Sequence, residues 1–325
     1  MTELKHSLKD LCVNLLITST CNAGCPWCIA NKYMKAQCSP LYMADESFEK
    51  FFLMLSRDNV AQVNLLGGEP SLHPKSLDFG RRISEIGVPV GYSTNGLWQE
   101  DFRRQLEKVQ YPIEFEVTFL GSKGYSPEKL VQIMRSFEQL RNHHTSIGLI
   151  LTSPNESYKE HLELAEKYGF DLRWAILEPT PLTGQTEGYS SQANIRKLGK
   201  HAVKIIREAN QRGIHTWADL TVPHCAIEDE DRDLFQGGEN DIQYRCPPFF
   251  DISTDLKIWR CLPMAPDKIP AITDFRTFRE AYQKVDEVKR DYVSKGVYPE
   301  CNECPHLEQI CSGGPAIAKK LQNEN

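Results

Sequence analysis

Eleven of the 325 residues are cysteines, and they fall in two groups. Cys12, Cys21, Cys25, Cys28 and Cys38 precede residue 39; Cys225, Cys246, Cys261, Cys301, Cys304 and Cys311 follow a long cysteine-free body. Cys21-Asn-Ala-Gly-Cys25-Pro-Trp-Cys28 puts three thiols into one short segment, and Gly24 and Pro26 favour a tight loop that can wrap a compact centre. Thiolates are soft ligands for zinc or for iron–sulfur clusters. A four-iron cubane held by only three protein thiolates leaves one iron open. An open coordination position separates a reactive centre from a structural one, by the logic that separates catalytic from structural zinc. The second group closes with Cys301-x2-Cys304-x6-Cys311, so the pattern suggests two metal sites on one scaffold.

The rest of the composition excludes several classes. Hydrophobic residues make up 40% and charged residues 25%, enough apolar material for a core and too much for a disordered chain. The formal net charge of −6 argues against general binding of nucleic acid or an anionic membrane. No stretch approaches the ~18 apolar residues of a membrane helix. Met1 to Asp10 is polar and lacks the apolar core of a signal peptide, so a cytoplasmic location is expected. The reducing cytosol then points the cysteines to metal rather than to disulfides.

The elements that position these groups read as alternating strands and helices. Leu11–Thr18, Val60–Leu66, Val88–Ser93, Ile113–Leu120, Ile147–Leu151 and Leu172–Leu177 have strand character, and Ile214–Leu220 is a short last candidate. Phe48, Phe51, Phe52 and Leu55 recur at helical spacing. Ser126-Pro127 opens a further helix, Tyr158–Tyr168 forms another that stops at Gly169, and Asn194–Gln211 makes a long one that stops at Gly213. About six β-then-α units imply an α/β fold with a mainly parallel sheet, whose strands carry the active site at their C-terminal ends. The cysteine loop, Gly67-Gly68-Glu69-Pro70 and Ser93-Thr94-Asn95-Gly96 all follow strands in this way. Beyond about residue 221 the apolar periodicity fades, and a metal cluster would supply the cross-links that the tail lacks.

Strand, C-x3-C-x2-C, helix, strand and Gly67-Gly68-Glu69-Pro70 in this order resemble the radical SAM superfamily. The resemblance implies a partial (β/α)6 TIM-like barrel over residues 1–222. It implies a [4Fe-4S] cluster on Cys21, Cys25 and Cys28, with S-adenosylmethionine on its open iron. One-electron cleavage of that cofactor would give a 5′-deoxyadenosyl radical that abstracts hydrogen from a substrate. By the same resemblance Trp27 lies near the adenine, and Gly67, Gly68, Glu69 and Pro70 form the GGE-type segment at the cofactor's amino group. Ser93, Asn95, Thr152 and Ser153 are further candidates for cofactor contact, and Glu178 for contact with the cofactor or the substrate, against a reading as turn residues and a solvated end-of-strand acid. The residue-level alternative is a zinc knuckle on the three cysteines with Cys12 or Cys38. His73 and His224 read as packing or surface residues.

Residues 223–325 resemble the small Cys-rich SPASM and Twitch extensions of radical SAM enzymes. Cys246 and Cys261 bracket a hairpin near Asp251–Arg260, and Cys301-x2-Cys304-Pro precedes Cys311-x-Gly-Gly. Pro315 stands where a further cysteine is usual, and the hairpin has Leu256-Lys257 in place of a turn glycine. The resemblance implies one auxiliary [4Fe-4S] cluster on Cys246, Cys261, Cys301 and Cys304, with Cys311 able to replace one of them. A structural zinc ribbon is the alternative. Cys225 is left as a packing thiol, a distant ligand or a hydrogen-atom donor to a substrate radical.

The reaction implied is modification of a ribosomally made peptide by cross-linking, thioether formation or epimerisation, with flavodoxin or ferredoxin as electron donor. That no peptide-recognition segment precedes the first strand counts against it. Oxidation of a small molecule such as an aminosugar alcohol is the first alternative, and a non-catalytic zinc protein is another. A molybdenum-cofactor synthase is set aside on the spacing of the C-terminal cysteines.

Overall fold

The computed structural model describes residues 11–28, 40–58, 60–179, 186–235, 244, 246–261, 269–288 and 295–323. Cys38 lies outside them. The described strands form a mainly parallel α/β sheet of nine strands that does not close, as expected of a partial barrel. The residues group into two compact units, and neither is one continuous stretch of chain.

The first unit takes residues 1–116, 127–144 and 248–287. Its strands are β1 (Cys12–Thr18), β2 (Gln62–Gly67), β3 (Val90–Thr94), β8 (Phe249–Ile252) and β9 (Ile258–Trp259), in the order β3-β2-β1-β8-β9. β1 pairs in parallel with both β2 and β8, whereas β8 and β9 form an antiparallel hairpin. Helices α1 (Asp45–Leu55), α2 (Ser76–Glu85), α3 (Glu100–Leu106), α4 (Pro127–Leu140) and α7 (Phe278–Asp286) cover this sheet. The helical spacing of Phe48, Phe51 and Leu55 buries all three, and Phe48 stacks on Phe79 of α2 at 3.8 Å. In the hairpin Leu256 takes the left-handed conformation (φ 66°) that a glycine would adopt more easily. Its side chain is buried and its backbone carbonyl accepts from Ile272 at 2.8 Å, which holds the turn.

A run of half-buried amides ending on the buried Asp251 joins these strands. Gln62 donates to Asn64, Asn64 to Asn14, and Asn14 to Asp251 at 2.9 Å. Trp259 Nε1 donates to the other oxygen of Asp251. Burial pushes the Asp251 carboxyl up to about 6 against the lowering effect of Asn14. The folded state therefore binds this proton more tightly than the unfolded chain does. Stability from this group is present below pH 3.8 and is lost as pH rises to about 6, by about 3 kcal/mol. Asp251→Asn removes the titration, so urea unfolding across pH 4–7 should shift in the variant's favour as pH rises. Parallel profiles for the two proteins would contradict this.

The second unit takes residues 117–126, 145–247 and 288–325. Strands β5 (His144–Leu151), β6 (Asp171–Ile176) and β7 (Thr216–Ala218) run in parallel there, apart from His144, while β4 (Glu114–Thr118) spans the division. Helix α5 (Lys159–Tyr168) ends at Gly169 in the left-handed conformation, as its sequence predicts. Helix α6 (Gln192–Gln211) starts on Ser191, whose hydroxyl accepts from the Asn194 N–H, and buries eight residues from Ile195 to Ala209. Helix α8 (Ala316–Asn323) closes the described chain. Among the described residues no helix is long and apolar enough to cross a membrane.

Candidate metal and cofactor sites

The cysteine loop leaves β1 at Thr18 and is seated against the end of β2. The Gly68 N–H donates to the Thr18 carbonyl and the Glu69 N–H to the Thr20 carbonyl, both at 2.7 Å. A Cβ at Gly67 would lie 2.1 Å from the Thr18 carbonyl oxygen, and one at Gly68 would lie 2.0 Å from that of Thr20. The two glycines are therefore what lets β1 and β2 meet where the loop departs.

Glu69 is fully buried, and its carboxylate is held by protein donors. Oε1 accepts from the Ser71 N–H at 3.1 Å and from Thr94 Oγ1 at 2.7 Å, and Oε2 accepts from the Asn95 N–H at 2.7 Å. Burial raises its pKa while these donors oppose the rise. Pro70 begins a single 3-10 turn that Glu69 caps. Glu69 thus ties the segment after β2 to the turn after β3.

That turn in turn holds the cysteine loop. Asn95 Nδ2 donates to Cys21 Sγ at 3.6 Å and to Asn22 Oδ1 at 3.0 Å. Asn22 Nδ2 donates to the Leu97 carbonyl at 2.6 Å, and Lys129 of α4 reaches the Asn22 carbonyl. Hydrogen bonds to a ligating sulfur tune a cluster and orient its ligand. Ser93 instead donates to Glu116 at 2.6 Å, and Trp27 is half-buried. Sequence reasoning missed Thr94, which bonds Glu69 and accepts from Trp98 Nε1, and Asn22. Their polar positions beside the two motifs were the available signal.

Within the loop, the Cys28 N–H donates to the Cys25 carbonyl and the Ala23 N–H to Cys21 Sγ. Burial pushes the Cys25 thiol up to about 11, and the neighbouring Cys28 and Cys21 add to the rise. Three thiols this close ionise together only when a cation offsets their charge. Among the described residues no three His, Cys, Asp or Glu side chains converge closely enough to hold one ion. A cubane takes each thiolate on a different iron, and three soft thiol donors on one loop are a donor set that such a cluster accepts.

The second unit holds the other candidates. Thr152 donates to Glu156, and Ser153 Oγ accepts from the Asn155 N–H. Burial pushes the half-buried Glu178 carboxyl up to about 8, with the Cys246 thiol and Asp219 adding to it. Cys225, Cys301, Cys304 and Cys311 line a cavity of about 350 Å3, and Cys246 is not among its lining residues. Cys261 belongs to the first unit. Both predicted packing histidines are buried. His73 uses both ring nitrogens, on Met43 and Lys75, and His224 packs at a tilt against His306 and edge-on against Tyr244.

Comparison with known proteins places these sites in context. Residues 15–171 match the family model of the radical SAM superfamily. A curated relative from Pyrococcus furiosus, a tungsten-containing aldehyde ferredoxin oxidoreductase cofactor-modifying protein, is 25% identical over 169 residues, covering 46% of each chain. The chain thus spans less than half the length of the curated relatives it matches. Streptococcus suis SuiB, solved with its precursor peptide SuiA, aligns with a TM-score of 0.66 at 16% identity, over 94% of this chain and 71% of that one. The protein anSMEcpe, solved with bound AdoMet, aligns with a TM-score of 0.63 at 16% identity, over 94% of this chain and 88% of that one. At these identities the likeness is one of fold.

Proposed function

We propose that this chain is a radical SAM enzyme that modifies a ribosomally made peptide. The observation that carries the first half is the Cys21–Cys28 loop, with three thiols, seated on Gly67–Glu69 and bonded through Asn95 to the Cys21 sulfur. The match of residues 15–171 to the superfamily supports it. Cys21, Cys25 and Cys28 would hold a four-iron cluster, which with bound S-adenosylmethionine would supply one-electron reductive cleavage of that cofactor and, from it, hydrogen abstraction from the substrate. Asn95 fixes the orientation of the Cys21 sulfur. Glu69 holds the turns after β2 and β3 together, so the backbone around them is preset for a ligand. Trp27, Ser93, Thr152 and Ser153 are the further candidates for cofactor contact. Glu178, whose carboxyl burial pushes up to about 8, is a further candidate for contact with the cofactor or the substrate.

The peptide half draws on fold likeness to SuiB, a protein solved with a precursor peptide. Residues 223–325 act in this reading as the SPASM/Twitch-like extension carrying the auxiliary cluster, and a flavodoxin or ferredoxin delivers the electron. The test is anaerobic incubation with S-adenosylmethionine and dithionite, first alone and then with any short peptide that a reading frame beside the gene encodes. A rise in 5′-deoxyadenosine together with a mass change in the peptide is expected. Stimulation by an aminosugar alcohol, with the peptide inert, would overturn the peptide assignment. No 5′-deoxyadenosine from protein with a full complement of iron would overturn the enzyme class.

A further inference from the structure

We infer that Cys225 is the fourth protein ligand of a cubane held by Cys301, Cys304 and Cys311, a site that lies wholly within the second unit. The inference takes an auxiliary cluster from the proposed function but assigns it a ligand set different from the one its cysteine spacing suggests. It also removes Cys225 from the role of hydrogen-atom donor.

The placement of the four sulfurs is the first argument. Cys225 is 76 residues from Cys301 in the chain, yet both line one cavity of about 350 Å3 together with Cys304, Cys311, His224 and His306. The two imidazoles pack against each other at a tilt, with ring centroids 4.3 Å apart, and both line the same cavity. Four thiols around one cavity supply the number and type of donors that a four-iron cluster takes. Four thiolates leave no iron open, so such a centre would serve electron transfer or structure.

The backbone around the cavity is arranged for close approach. Cys225 sits in the 3-10 turn His224–Ala226, which lies flush on α6. A Cβ at Gly199 of α6 would be 1.8 Å from the Ala226 carbonyl oxygen, so only glycine admits the turn there. On the other side, a Cβ at Gly296 would lie 2.4 Å from Cys301 Sγ. The Val297 N–H donates to the Gly313 carbonyl at 2.8 Å and joins the Cys301 and Cys311 segments. Two backbone N–H groups, of His224 and Gly313, donate to Cys311 Sγ at 3.4 and 3.2 Å. Such bonds stabilise a ligating thiolate. The His224 donor comes from the turn that carries Cys225, which ties that turn to the Cys311 sulfur.

The experiment starts from the Cys21→Ala/Cys25→Ala/Cys28→Ala protein, so that only the second centre is read. Iron, acid-labile sulfide and zinc are measured after anaerobic reconstitution, with electron paramagnetic resonance of the oxidised protein. This background should hold about four irons. Adding Cys225→Ala should take iron to three or fewer per chain, with the paramagnetic signature of a three-iron cluster if one remains. Adding Cys225→Ser should restore part of the iron, because an alkoxide can replace the thiolate. Cys12→Ala in the same background should change nothing. Circular dichroism reports whether each variant folds, and the turn is held by backbone contacts that the alanine keeps. Full iron in Cys225→Ala, with loss in Cys246→Ala and Cys261→Ala, would overturn the assignment. So would stoichiometric zinc in place of iron. If the wild type holds about four irons, all lost with Cys225→Ala and none lost with the triple change, the first site fails while this one stands.

Discussion

Replacing Cys21, Cys25 and Cys28 together by alanine is expected to lower iron from about eight to about four per chain and to abolish cleavage of S-adenosylmethionine. The physical basis is the separation of the two cysteine groups. The three thiols belong to one loop in the first unit, and Cys225, Cys301, Cys304 and Cys311 line a cavity in the second. Among the described residues, the contacts named for the second set lie within the second unit. Its supports are Gly199, Gly296, the Val297–Gly313 hydrogen bond and the two donors to Cys311. The measurement is iron and acid-labile sulfide after anaerobic purification, with 5′-deoxyadenosine release in parallel. A fall from about four irons to none would leave the first centre and remove the second. The absence of iron from both proteins after reconstitution would replace the radical reading with zinc.

Gly68→Ala is expected to have the next largest effect, and it acts without touching a cysteine. The new methyl group would lie 2.0 Å from the Thr20 carbonyl oxygen and 2.4 Å from its carbon. Both are backbone atoms, so no side-chain rotation relieves the overlap. Either β2 or the start of the cysteine loop must move, and the hydrogen bonds from Gly68 to Thr18 and from Glu69 to Thr20 go with it. The cost should be about 3 kcal/mol, at the upper end for overpacking. Iron in the first centre should fall to near zero while the second keeps about four. Gly87→Ala is the control. Its φ of +81° makes alanine strained, at about 1 kcal/mol, but no atom lies within 4 Å and the iron should be unchanged. Equal iron and equal melting temperature in Gly68→Ala and wild type would mean that β1 and β2 do not meet as described.

The Asp251 titration and the Cys225 assignment test different parts of the same fold. Asp251 sits where β8 lies beside β1, with Cys12 opposite Phe249 and Leu15 opposite Ile252. Residues from the C-terminal third thus extend the sheet that begins near the N-terminus. A division of the chain at residue 222, as the change in sequence texture suggests, separates strands that pair.

What was legible in the sequence is what short-range spacing encodes. Alternating apolar runs marked the strands, and Phe48, Phe51 and Leu55 marked α1, because burial imposes a period of two or of 3.6. The C-x3-C-x2-C loop, Gly67-Gly68-Glu69 and Ser93–Gly96 could be placed after their strands because they directly follow them. The open α/β sheet followed from that order. What only the tertiary structure decided involves partners far apart in the chain. Examples are the Glu69 carboxylate on Thr94 and Asn95, the Asn95 amide on the Cys21 sulfur, and Cys225 beside Cys301 and Cys311. An isolated cysteine carries no local signal of its neighbours. Its place was set by Gly199, which lets the turn holding Cys225 lie directly on α6. Side-chain period follows from the backbone alone, but the partner that a buried polar group or thiol finds depends on how the elements pack.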